Sequence, residues 1–394
     1  MSARHVVLIS FSTSVAGRHP LMLKALKDEG WKVTVIAWDR TGKMPAPNGN
    51  QDFFDRWVWV HLPAPVWSMR LAAKLPRYYQ KVIQALAGID QPELVIVTHY
   101  FHLPLAFFLR GKKVYDAIEM YALDLSLYFG SWSGLVKPVW QWLEGLLLWG
   151  AGIDGVSAID SRDGWLEKFY RKWVDRVQVI WNVTPHSKEP SVTEVQAAAE
   201  NYAGRQVIAM VGGLMRKQGL RVALQAAALV KEQHPNALFL FMGPLKDDPE
   251  IVRELIQARH LESQVLFLEF MRYRKMLAHL RHARIGLLLY QPERNILYCG
   301  PGTGRKCFTY MQAGIPMVAP NFGEVGLLAK EENCGFLVDT TDAVEVARTI
   351  TYLLDNPQEA AAMGGRGRRA FEEKYNWDRE QDKYIQFIEG VWRS

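Results

Sequence analysis

Cysteine is scarce in this 394-residue chain: Cys299, Cys307 and Cys334 are too few for a disulfide framework, and no Cys/His spacing resembles a zinc site. A reduced compartment is therefore the default expectation. Long apolar runs are missing too. No stretch reaches about 18 apolar residues, so no transmembrane helix is expected. The opening MSARHVVLISF reads as a first buried strand and lacks the small-residue cleavage site of a signal peptide. A cytoplasmic protein, with peripheral attachment to the inner face of a membrane, is the expected setting. Charge of one sign is modest: 47 basic against 41 acidic residues leave +6, with no nucleic-acid-binding motif, so nucleic acid is not an expected partner. The first apolar run leads into SFSTSVAGRH, which lacks the Gly-x-Gly-x-x-Gly turn of a dinucleotide site and speaks against a nicotinamide-dependent dehydrogenase.

What is present is an ordinary globular composition, 49% hydrophobic and 22% charged, with length for two domains of roughly 150–200 residues each. Short β-branched runs read as buried parallel strands: 5–10, 32–38, 57–62, 94–99, 112–117, 152–157 and 177–182, then 206–213, 237–243, 264–270, 284–290, 315–320 and 334–339. Helical patterns such as 19–30 and 220–234 lie between them. The polar segment 183–205 reads as a linker with a short helix, and the chain after 339 is helical almost throughout. The expected class is α/β, two Rossmann-like halves with parallel sheets and a C-terminal helical tail: 1–185, 186–374, and a helix over 375–394 packing back on the first half. Ligands of such sheets sit beyond the carboxyl ends of the strands, so the two halves are expected to face each other across a cleft.

Two loops carry phosphate-binding chemistry. Gly300, Gly302 and Gly304 alternate just before a predicted helix that opens with Arg305 and Lys306. Glycines let backbone N–H groups approach an oxyanion, and the helix N-terminus adds positive potential. Gly212 and Gly213 end a strand and are followed by Arg216, Lys217, Gln218 and Gly219, a second clamp for a diphosphate. The plainer alternatives are a flexible loop ahead of an ordinary helix and a solvated basic turn.

In motif order, nearly the whole chain resembles the family 4 retaining glycosyltransferases of the GT-B fold. The second half opens on Gly212–Gly219. Pro301-Gly302-Thr303-Gly304 through Thr309, then Gly314-Ile315-Pro316-Met317-Val318, occupies the place of the family's Glu-x7-Glu element and the Gly-x-Pro strand after it. Lys306 and Tyr310-Met311 fit the helix of that element. In the first half, His99 follows LVIVT, and Tyr115-Asp116-Ala117-Ile118-Glu119 stands for a Tyr-Asp-Ala-His-Glu segment. The chain departs from the family at both acidic positions, which are Pro301 and Thr309, and at Gly213, Gln218 and Ile118.

The resemblance implies a retaining hexosyltransferase that uses a nucleotide-diphosphate sugar, UDP ahead of GDP, with a glycan, glycolipid or lipid-linked acceptor and with no metal or other cofactor. It implies donor-diphosphate contacts at Gly17, Gly213, Arg216, Lys217, Gly302, Thr303, Gly304 and Lys306. Thr309 and Gly243 fall to the ribose or base, and Pro301 and Glu324 to the sugar. His99 and Glu119 are the catalytic candidates; from the residues themselves Asp116 is a further candidate base or sugar contact, His19 is placed at the border of the cleft, and His102 is expected to be structural. A non-catalytic relative acting as a scaffold, motivated by the two lost carboxylates, and a sugar-nucleotide epimerase are the competing expectations.

Composition speaks to the acceptor side. Twelve of the fourteen tryptophans lie within residues 31–181. Segment 67–86 has no acidic residue; Arg70, Lys74, Arg77 and Lys81 follow one helical face, beside an apolar stripe of Trp67, Leu71, Leu75, Tyr78 and Val82. Pro76 is expected to kink or split this helix. Segment 127–150 holds six aromatic residues with only Lys137 and Glu144 charged. Both suit an anionic membrane interface; the alternative is that these aromatics are core.

Overall fold

Continuous apolar runs form strands buried on both faces, and the chain builds two separate parallel sheets from them. The computed structural model describes residues 4–11, 15, 17–42, 51–64, 69–118, 121, 126, 129–159, 164–186, 189–200, 202, 204–293 and 305–394. The chain divides into two units: Met1–Asn182 with Glu380–Ser394, and Val183–Arg379.

In the first unit β1 (His5–Ser10), β2 (Lys32–Asp39), β3 (Arg56–His61), β4 (Leu94–Val97), β5 (Lys112–Ala117), β6 (Gly155–Ala158) and β7 (Val177–Val179) pair in the order β3-β2-β1-β4-β5-β6-β7. In the second, β8 (Gln206–Val211), β9 (Ala237–Met242), β10 (Val265–Leu268), β11 (Ala283–Leu287), β12 (Met317–Pro320) and β13 (Gly335–Val338) pair as β10-β9-β8-β11-β12-β13. These strand pairings are all parallel. Both orders reverse once, between β1 and β4 and between β8 and β11, and a doubly wound sheet opens its ligand crevice at that reversal. The expected Rossmann-like halves are therefore the observed ones.

Helices cover the sheets: α1 (His19–Asp28), α2 (Met69–Ala72), α3 (Leu75–Ala87), α4 (Leu103–Ala106), α5 (Ser133–Gly150) and α6 (Trp165–Tyr170) in the first unit. The second has α7 (Val192–Ala199), α8 (Leu220–Gln233), α9 (Pro249–Ala258), α10 (Tyr273–Leu280), α11 (Arg305–Ala313), α12 (Gly323–Glu331), α13 (Ala343–Asp355) and α14 (Pro357–Glu373). The short helix expected after 183 is α7, started by a reciprocal capping box between Ser191 and Glu194.

Pro76 sits in the first turn of α3, where its missing N–H costs no helical bond, so the basic segment becomes two helices, α2 and α3. Leu71, Tyr78 and Val82 from its apolar stripe lie in the core. The face left to solvent carries Arg77 and Lys81. The last helix, α15 (Trp377–Arg393), runs its final turns along the first sheet. Phe387 and Val391 lie against Gly155, where a Cβ would meet Val391 at 2.6 Å. The Glu380 carboxylate accepts the Trp181 amide at 2.9 Å, and Glu389 pairs with Arg4.

Candidate active site

In the second unit the reversal falls between the carboxyl ends of β8 and β11, and glycine decides what can approach there. Gly212 follows β8 with φ +94° and Gly243 follows β9 with φ +139°. Their backbones touch: a Cβ on Gly243 would lie 2.1 Å from the Gly212 carbonyl oxygen, and the Gly212 amide donates to Met242 O at 2.9 Å. Beyond them the loops are zipped together, with Leu214 N on Pro244 O at 3.0 Å and Lys246 N on Leu214 O at 2.8 Å. A bidentate Arg221–Asp247 pair (2.6 and 3.1 Å) ties the second loop to the start of α8; that hydrogen bond holds the Asp247 carboxyl below its usual range.

Helix α11 delivers the cation. Tyr310, fully buried, accepts the Val211 amide at 3.2 Å and donates to Leu287 O at 2.9 Å, so one phenol grips the ends of both strands flanking the reversal. Gly286 in β11 makes room for that ring, since a Cβ there would sit 2.6 Å from it. The grip fixes the register of α11, and one turn earlier Lys306 lies across the end of β8. A Cβ on Gly212 would fall 2.6 Å from Lys306 Cε. Lys306 Nζ donates to Gln218 Oε1 and stands 5.4 Å from the centre of the Tyr290 ring. Burial pulls its ammonium down to about 7. A cation held in that state gains from any anion brought to it.

The other expected contacts are placed as follows. Gly213 adjoins Lys246, whose Cδ would be 3.7 Å from a Cβ on Gly213. Arg216 reaches outward to Glu293 at 3.5 Å, and Lys217 lies in the same 3-10 turn (Arg216–Gln218), which ends at Gly219. Thr309 is buried and donates its hydroxyl to Arg305 O at 3.0 Å. Glu324, in the first turn of α12, has a buried Oε2 with no hydrogen-bond partner among the described residues. Gly302, Thr303, Gly304 and Pro301 lie outside the described residues, as does Glu119 in the first unit. Sequence reasoning missed Lys246, and it treated Gln218 only as a departure; the signal for Lys246 was its place three residues after the strand-end Gly243.

In the first unit the reversal lies between β1 and β4. Phe11, just after β1, stacks on His99, just after β4, with ring centres 4.1 Å apart. Burial pushes the His99 pKa well below its usual value, so the imidazole is neutral. Its Nδ1 accepts the Phe101 amide at 3.1 Å, which assigns the proton to Nε2 and makes that atom a donor. His102 shares a hydrogen bond with Tyr78 at 2.9 Å and is fully buried, its pKa pulled down to about 3 by desolvation. Asp116 is fully buried among Arg18, Ser157 and His19, whose Nε2 is 2.7 Å away. Burial alone would raise the Asp116 pKa, but Arg18 and His19 hold it below the carboxylate range. Asp116 and His19 are thus engaged with each other and with Arg18, which also donates to Ile180 O. Gly17, with φ +69°, sits beside them, 3.9 Å from Asn182 Oδ1 by its would-be Cβ.

Residues 192–370 match the model of the family described as Glycosyl transferases group 1. The spore coat protein SA of Bacillus subtilis is 20% identical over 192 residues, covering 47% of this chain and 49% of that protein. The chain thus spans about half the length of the curated relative it matches. Among solved structures, sucrose-phosphate synthase from Thermosynechococcus elongatus is similar with a TM-score of 0.72 and 18% identity over 99% of both chains. HepE from Anabaena, solved in complex with UDP and glucose, is similar with a TM-score of 0.73 and 15% identity over 98% of this chain and 100% of that one. At such identities these likenesses establish the fold, which is GT-B.

Proposed function

We propose, from the match of residues 192–370 to the Glycosyl transferases group 1 model, that the protein is a retaining, family 4 hexosyltransferase. It moves a sugar from a nucleotide-diphosphate donor, UDP ahead of GDP, to a glycan, glycolipid or lipid-linked acceptor. The observation that carries the reading is Lys306: a desolvated ammonium laid over the strand-end Gly212 at the reversal of a doubly wound sheet. HepE, which shares the fold, has been solved with UDP-glucose, and this supports ranking UDP first.

The chemistry asked of the site follows from where charge develops. The bond from the anomeric carbon to the diphosphate breaks, positive charge grows on the sugar ring, and negative charge grows on the leaving phosphate. The acceptor oxygen forms its new bond on the face the diphosphate leaves. Donors aimed at that phosphate lower the barrier because they bind the transition state more tightly than the ground state. Lys306 supplies the charge; Lys217 and Arg216, in the adjoining 3-10 turn, are assigned to the same diphosphate, which Arg216 reaches on leaving Glu293. The Gly212 amide is spent on Met242, so the Gly213 amide is the one offered to an oxyanion. Lys246, against Gly213, is a further cation for the same anion. By the family resemblance, Gly302, Thr303, Gly304 and Gly17 are assigned to the same diphosphate. We assign no metal or other cofactor to the site. His99, neutral with Nε2–H as donor, is suited to hold a sugar hydroxyl or carbonyl and unsuited to act as a base; Glu119 is then the candidate base. Glu324 and Pro301 fall to the sugar, and Gly243 and Thr309 to the nucleoside.

The test is thermal stabilisation by UDP, GDP, ADP and dTDP and their sugars. At a hundred times its dissociation constant the right nucleotide adds about 2.7 kcal/mol, and Lys306→Ala removes most of it. If no nucleotide stabilises the chain, the reading fails. A second reading, a non-catalytic relative, draws on Thr309, which replaces a carboxylate and donates its hydroxyl within α11. Transfer or slow donor hydrolysis by the purified chain eliminates it.

A further inference from the structure

Helix α5 is apolar on both sides. Its inner side carries Glu144, Gly145 and Leu148, all buried. Its outer side should be polar in a helix that meets only water, and it is not. Leu135, Val139, Trp142 and Trp149 are each more than half exposed, as are Trp132 just before the helix and Phe108 in the turn beside its far end. At 100° per residue the four helical positions fall in an arc of about 80°, so they form one stripe. Phe107 joins the turn to the helix, its ring 3.1 Å from where a Cβ on Gly150 would be. Among the described residues no helix is long and apolar enough to cross a membrane.

The charge around this stripe is mainly positive, and the nearby acids Glu167 and Asp154 are each paired with a cation. Residues 69–89, 94–115 and 129–150 contain a single carboxylate, Glu144, and it is buried, whereas Arg77, Lys81 and Arg110 are exposed. These segments are packed in series. The Tyr79 hydroxyl of α3 donates to Phe101 O at 2.5 Å, and the Tyr100 ring meets Trp140 of α5 edge-on at 6.0 Å. Tryptophan and phenylalanine presented by a helix lying flat, with lysine and arginine in excess alongside, is the chemistry of the boundary between headgroups and acyl chains. Tryptophan is favoured there because its apolar ring enters the lipid while its N–H stays wet.

We propose that the outward face of α5, with Trp132 and Phe108 at its ends, docks the first unit onto an anionic lipid bilayer, the helix lying in the plane of the interface. Docking does not rest on the donor site, which belongs to the other unit; given the transfer reading, it brings the enzyme to acceptors held in the membrane.

The experiment is co-sedimentation of the full chain with vesicles of phosphatidylcholine alone and of phosphatidylcholine with phosphatidylglycerol, without nucleotide. Binding is expected only to the anionic vesicles and weakens with added salt. Trp142→Ser with Trp149→Ser lowers partitioning by roughly tenfold or more, and Leu135→Glu, a single change on the same exposed stripe, does the same. Arg77→Ala and Lys81→Ala each lower it roughly fivefold, about 1 kcal/mol per basic residue near the surface. Melting temperature and the UDP-induced shift stay as in the parent chain, so failure to dock and failure to bind nucleotide are read separately. The proposal is overturned if the parent chain ignores anionic vesicles, binds neutral ones equally, or keeps its binding in the tryptophan and Leu135→Glu variants. It is also overturned if those variants abolish a concentration-dependent dimer instead.

Discussion

Lys306 gives the sharpest test, because its protonation and donor binding must be linked. In the free protein burial holds its pKa at about 7. A diphosphate beside Nζ favours the charged form and raises that value again. Above about pH 7 the free side chain is neutral and the bound one charged, so binding takes up a proton. Affinity for UDP is then expected to fall by up to tenfold, about 1.4 kcal/mol, for each pH unit between about 7 and 9. The nucleotide's own second phosphate ionisation, near 6, is complete in that range and adds no slope. Lys306→Met removes a charged hydrogen bond of about 1.5–3 kcal/mol, so at pH about 6.5 it weakens UDP by roughly tenfold to more than a hundredfold, and it flattens the dependence above 7. Titration calorimetry in two buffers of different ionisation enthalpy counts the protons directly. Affinity that does not change with pH in the parent protein, or an equal slope in Lys306→Met, refutes the assignment of Lys306 to the diphosphate.

Three further outcomes follow from the packing. Gly243→Ala drives a methyl into the Gly212 carbonyl, 2.1 Å away, at a φ of +139°; a loss of at least about 2 kcal/mol in urea unfolding and weakened UDP binding are expected, and parent-like values would discount the contact between the two loops. Asp116→Ala leaves Arg18 buried without its carboxylate, which should cost about 3–5 kcal/mol; a loss below about 1 kcal/mol would show that the pair is not buried as described. Glu144, whose pKa is raised to about 7 by burial against the hydrogen bonds of Tyr115 and Tyr170, binds more protons folded than unfolded between its ordinary value and 7. Its contribution therefore declines as pH rises through that window, and Glu144→Gln, which still accepts both hydroxyls, should stabilise the fold at pH 8 by up to about 3 kcal/mol and not at pH 4. Melting at the two pH values decides it.

Much of the fold was legible because buried parallel strands are written as unbroken apolar runs. The thirteen runs read from the sequence correspond to the thirteen strands among the described residues, with ends that differ by a few residues. The run 177–182 stops as a strand at Val179 because the Trp181 amide turns to the Glu380 carboxylate. The candidate site was legible only as residue types. Gly212 and Lys306 were picked for chemistry that each was expected to supply alone, and it is the Tyr310 grip on two strand ends that puts one against the other. Asp116 and His19 looked available for a sugar until Arg18 and Ser157 were seen to occupy the same carboxylate.

The sequence by itself determined the two alternating sheets, the strand-end glycines and the tryptophan-rich first half, because these depend on local periodicity and composition. Which cation faces inward, which histidine is neutral with a donor nitrogen, and which apolar face remains outside were decided only by tertiary structure. Arg216 and Lys306 carry the same charge in the sequence, yet one meets Glu293 in solvent while the other is desolvated over Gly212. Likewise α3 and α5 both pack apolar residues into the core, but α5 keeps a second stripe, Leu135, Val139, Trp142 and Trp149, exposed. Burial and partner are properties of contacts between distant residues, and no local pattern encodes them.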